Sequence, residues 1–90
     1  MQDIIAKHFP VQAGELEFAQ FREALIQTIT YLLQHDIERL SQAMYRIDVA
    51  EEAFREALYS DDAVRLADLA IERVKQKILF RQQYAAMNPL

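Results

Sequence analysis

His35-Asp36 is the first place in this 90-residue chain where chemically capable side chains stand together. A His-Asp pair ligates metal in phosphohydrolases, but such sites draw further His and Asp ligands from other helices, and a short motif alone is weak. The only other histidine is His8. A helix cap beside a loop histidine is the simpler reading. The carboxylate pairs Asp68/Glu72 and Glu52/Glu56 each lie four residues apart, on one side of a helix. Di-metal carboxylate sites in helical bundles use several inward carboxylates with Glu-x-x-His. That motif is absent, and the single acidic pair spaced by three, Asp48 and Glu51, has the layout of a helix capping box. Asp68 and Glu72 are expected in solvent, meeting Arg65 and Gln76. With no cysteine and one glycine, the chain has neither a thiolate nucleophile nor a Gly-rich phosphate loop. No Ser-His-Asp arrangement is visible. The chain is read as no enzyme, with no cofactor and no metal site, and a helical carboxylate metal hydrolase is the lesser alternative.

Two other groups of residues invite a role in binding. Arg73, Lys75, Lys77 and Arg81 give the last eighteen residues a local charge of +4, while the first seventy-two carry −8. A basic face with Phe80 and Tyr84 among the charges is a way to hold nucleic acid. Four cations are few, and the acidic remainder repels a polyanion, so nucleic-acid binding is disfavoured; cations at a helix C-terminus also complement its dipole. Tyr45, Arg46 and Asp48 flank Ile47 at a joint between two helices. They are read as a structural corner, with Arg46 and Asp48 pairing across the bend and Tyr45 anchoring the helix end. The functional alternative is a recognition corner, since Tyr and Arg are favoured at interface hot spots.

The elements that must position these residues are helical. Apolar residues make up 52% of the chain, and one Gly with two Pro leaves little turn chemistry for a β fold. Ninety residues allow one domain. Residues 1–14, interrupted by Pro10 and Gly14, are expected to form a partly ordered arm, with a short helical turn, or packing on the domain or on a neighbouring subunit, as alternatives. Residues 15–88 are expected to form the domain. Its first helix spans Glu15 to about Gln34, with Phe18, Phe21, Leu25, Ile29 and Leu32 on one face. Leu16, Ala24, Ile26, Tyr31 and Leu33 widen that face beyond a simple stripe. Asp36 is placed to cap a second helix, Ile37 to about Arg46, with a seam of Ile37, Leu40, Met44 and Ile47. A third runs from Val49 to Leu58, capped by Asp48. Ser60-Asp61-Asp62 turn into the last helix, Asp62 to Ala86, with a seam of Val64, Ala67, Ile71, Val74 and Ile78. The resulting fold is an all-α bundle of three to four helices, two long and antiparallel with two short ones between them.

The runs DIERLSQAMYRIDVAEEAF and ADLAIERVKQKILFRQQY resemble a family of small all-helical proteins of Bacteroidota-type bacteria, with an "YRIDVSE" joint and an "IER…RQQ" last helix. The resemblance spans about residues 36–84 and is most specific at Tyr45–Val49 and Arg81–Tyr84. It departs at Ala50, where Ser is expected and a capping hydroxyl is lost. It implies a cytosolic all-α protein and carries over no catalytic residues.

The last helix organises the rest. Twenty-five residues at about 1.5 Å each reach roughly 37 Å, more than a compact chain of this size is wide. Leu69, Leu79, Phe80 and Tyr84 lie off its seam and are the candidate interface. A homodimer in the cytoplasm follows, the basic end of one long helix lying along the acidic body of its partner, with another protein as the other candidate partner. The N-terminus lacks a signal-peptide pattern and no window holds 18 unbroken apolar residues, so no membrane association is expected.

Overall fold

A computed structural model describes residues 1–12, 14 and 16–87, and every element among them is an α-helix. In chain order these are α1 (Gln2–Ala6), α2 (Phe18–His35), α3 (Ile37–Ile47), α4 (Glu51–Tyr59) and α5 (Ala63–Met87). The expected start at Glu15 and the domain limits at 15 and 88 lie outside the described residues. No described helix is long and apolar enough to cross a membrane.

Short turns with definite chemistry set the boundaries. Asp36 leaves the helical conformation after α2 and accepts the Arg39 backbone N–H at 3.1 Å, capping α3 as its position suggests. Asp62 does the same for α5, accepting from Arg65 at 2.9 Å. The two remaining ends share one device. At the end of α3, Asp48 takes φ 69°, its N–H donates to Tyr45 O, and Val49 N–H donates to Met44 O. At the end of α4, Asp61 takes φ 53°, its N–H donates to Leu58 O, and Asp62 N–H donates to Ala57 O. Both are Schellman turns, and both put aspartate where glycine is usual. Asp48 therefore closes α3 instead of opening α4. The capping box with Glu51 does not form, and the N-cap of α4 is Ala50, with no side-chain cap.

The core follows the expected stripes with a shift on α5. Phe21, Leu25, Ile29 and Leu32 of α2 are buried, as are Leu40, Met44 and Ile47 of α3. On α5 the buried arc is Leu66, Ala67, Ala70, Ile71 and Val74, because α5 packs on both α2 and α4. Alanines 67 and 70 let those neighbours approach closely. Val64 falls to the side of that arc and is exposed, as are Phe18 and Ile37 at the first positions of α2 and α3. Ile5 and Phe9 complete the core from the N-terminal side. The stretch read as an arm thus contributes two fully buried side chains, and α1 lies against α5.

The molecule measures 48 × 31 × 18 Å, with a radius of gyration of 13.8 Å. A compact chain of this length has about 12 Å. The excess reflects α5, which runs unbroken for 25 residues while its last buried residue is Val74.

Candidate interaction surface

Beyond Val74, α5 continues for about 20 Å with no further buried side chain. Leu79, Phe80, Tyr84 and Met87 are 54%, 68%, 70% and 79% exposed. Spacings of three and four place Leu69, Arg73, Gln76, Phe80, Tyr84 and Met87 in one row along the helix. Leu79 stands outside that row. At the row's inner end, Leu69 is half-buried against the core. There it lines a cleft of about 450 Å³ with Asp48, Val49, Glu72, Arg73 and Gln76. Leu69 is thus the seated end of the predicted stripe, and Phe80 and Tyr84 are its free end.

The cleft is closed by a contact between residues 25 apart. Arg73 Nε donates to the Asp48 carbonyl at 3.0 Å, and its Nη2 donates to the Asp48 carboxylate, also at 3.0 Å. A third donation goes to Gln76 Oε1. The left-handed turn at Asp48 presents both of its oxygens to one guanidinium, a geometry that lysine cannot match.

Arg46 takes no part in that pair, contrary to the expected corner. Tyr45, Arg46 and Asp48 point into three different surfaces, because Ile47 between them is buried and successive helical side chains diverge by about a quarter-turn or more. Tyr45 is 85% exposed and anchors nothing; it rims an apolar groove of about 490 Å³ between α3 and α4, floored by Met44, Phe54 and Leu58. Arg46 lines a polar cleft with Lys7, His8 and Arg39. Asp48 belongs to the α5 cleft.

The basic residues of α5 are dispersed likewise. Arg73 is engaged by Asp48, and Lys75 sits over the Phe18 ring at 4.6 Å from its centroid. Lys77 is half-buried near His8, and Arg81 is exposed. They do not form one face.

Asp68 does not meet Arg65. Arg22 of α2 holds it through paired hydrogen bonds of 2.9 Å, from Nε and from Nη2. That guanidinium keeps the Asp68 carboxyl below the usual carboxylate range, with partial burial opposing. Forty-six residues separate the pair, so no local spacing could reveal it. His35 stacks on Tyr31 with ring centroids 4.6 Å apart. Among the described residues no three His, Asp or Glu side chains gather to hold a metal ion. No family model matches the chain, and no similar curated protein or solved structure was found.

Proposed function

We propose that this protein is a non-enzymatic helical interaction module of the cytoplasm that self-associates as a dimer through the projecting end of α5. The observation that carries the reading is the run of large apolar side chains at Leu79, Phe80, Tyr84 and Met87 on helix that has left its own core. Ile78 is the last side chain of α5 to touch the core, and the short helical stretch beyond it, without a packed face, is marginal in water. Contiguous exposed apolar side chains are characteristic of interaction sites. A second copy laid on the row of Phe80, Tyr84 and Met87, with Leu79 at its flank, supplies both the missing face and the cover.

Within the subunit, α2 and α5 run antiparallel in this reading. Arg22 meets Asp68 while Phe18, one turn earlier on α2, meets Lys75, about two turns later on α5. Between subunits, the charge asymmetry favours opposed rods, which bring the basic segment after Arg73 alongside the acidic body of the partner. Two of the four basic residues are already occupied by Asp48 and Phe18, which weighs against a nucleic-acid role for the helix end.

Sedimentation at low micromolar concentration tests the proposal. A species of twice the 10.5 kDa subunit mass is expected, and Phe80→Glu should dissociate it without unfolding the subunit. A clean monomer across the accessible concentration range refutes the dimer.

A further inference from the structure

Lys7 and His8, just after α1, share one cleft of about 170 Å³ with Arg39, Gln42 and Arg46 of α3. Lys77 of α5 stands near enough to act on His8 as a third source of positive charge. Lys7, Arg39 and Arg46 thus line the cleft from two segments of the chain, and Lys77 of α5 adds its charge from beside the histidine. Among the described residues, none of Lys7, Arg39, Arg46 and Lys77 has a carboxylate within ion-pair distance. In a chain with fourteen acidic and ten basic residues, leaving four cations together and unneutralised costs stability through their mutual repulsion. Arg39, Gln42 and Arg46 are spaced by three and four, so α3 presents two guanidinium groups with an amide between them on one row. His8 lines the cleft, and its Nδ1 is turned away from solvent without a hydrogen-bond partner, as is Gln2 Oε1 on α1.

We infer that the cleft between α1 and α3 binds a small phosphate-class oxyanion, held by the Arg39 and Arg46 guanidinium groups under the added charge of Lys7 and Lys77. Planar guanidinium donors match phosphate oxygens two at a time, and several cations suit a multiply charged ligand better than a single carboxylate. The cleft's volume limits the buried group to something about the size of phosphate or pyrophosphate. The −8 carried by the first seventy-two residues opposes a polyanion and leaves the site to a small one.

The two histidines make the test internally controlled. His8 lies in the cleft, where burial first and then Arg46, Lys77 and Lys7 hold its pKa below the ordinary histidine value. His35 lies exposed at the end of α2. The imidazole proton resonances of the intact protein are followed while pyrophosphate, and separately inorganic phosphate, is added at constant ionic strength. Saturable shifts of the His8 signals with a rise in its pKa are expected, because the bound anion offsets the surrounding cations, while His35 stays unchanged. Arg39→Gln and Arg46→Gln, both at exposed positions, should each weaken binding about tenfold, as expected for the loss of one charge-assisted contact. Circular dichroism checks that the helices are retained. Equal responses of His8 and His35, the same response to chloride, or unaltered affinity in both glutamine variants overturns the site. The readout is independent of the oligomeric state.

Discussion

Phe9→Ala paired with Phe80→Ala separates the subunit's core from its outward surface by one chemical change at two places. Phe9 is 1% exposed and packs beside Ile5 in the same core as Phe21 and Val74. Its position is fixed locally by its N–H donating to Ile5 O at 2.9 Å and its carbonyl accepting from Val11 at 2.8 Å. Truncating a fully buried phenylalanine costs about 3–5 kcal/mol in lost transfer energy and cavity. A domain of this size has only about 5–13 kcal/mol in total, so the loss is a large part of it. At a urea slope of about 2 kcal/mol per molar, the midpoint should fall by about 2 M. Phe80 protrudes from α5, so the same substitution should change the subunit's own stability by under about 0.5 kcal/mol. Both variants are unfolded in urea at concentrations below association, followed by far-ultraviolet circular dichroism. Equal shifts, or a loss below about 1 kcal/mol for Phe9→Ala, would refute the assignment of the first ten residues to the cooperative core.

The two left-handed aspartates make a second matched pair. Asp61→Gly removes a side chain from a backbone region that costs an ordinary residue about 1 kcal/mol, so its urea midpoint should rise. Asp48→Gly gives up the carboxylate contact to Arg73 as well and should gain less or lose; a larger gain at 48 than at 61 would show that contact to be inert. Asp68 links stability to pH. Its folded pKa lies below the reference value of 3.8, so its contribution is fully present above that value and fades as pH falls through the folded pKa. Asp68→Asn should therefore be less stable than the parent at pH 7, with the difference in midpoint closing as pH falls below 3.8 and shrunken in high salt because the pair is partly exposed. A difference that persists in acid rules out the Arg22 contact as its cause.

What the sequence discloses here is whatever depends on neighbours three or four residues apart. The seams Phe21-Leu25-Ile29-Leu32 and Leu40-Met44-Ile47 are plain from periodicity, and Asp36 and Asp62 announce their caps by type and position. Asp48 misleads because an aspartate before a helix with glutamate three residues on is equally a cap or, as found, the left-handed residue ending the helix before it. The choice turns on where Met44 O and Tyr45 O find their donors. Ile5 and Phe9 looked peripheral because Pro10 and Gly14 break any pattern around them; their burial depends on α5, some sixty residues away. The cleft of Lys7, His8, Arg39 and Arg46 and the Arg22–Asp68 pair are likewise products of tertiary packing. The candidate stripe on α5 was visible as apolar surplus, but its division into a seated Leu69 and a free Phe80 and Tyr84 was not.

The packing of α1 against α5 also constrains the order in which this molecule can be made. A nascent chain that has emerged only as far as α4 holds Ile5 and Phe9 without the helix that α1 packs on, and that long helix, which contacts every other element, has yet to leave the ribosome. Loop closure between such distant segments comes late, so the core cannot seal turn by turn during synthesis. Until α5 is free the apolar seams of the earlier helices have no cover from it, and they are the part of the chain that a chaperone would have to shield.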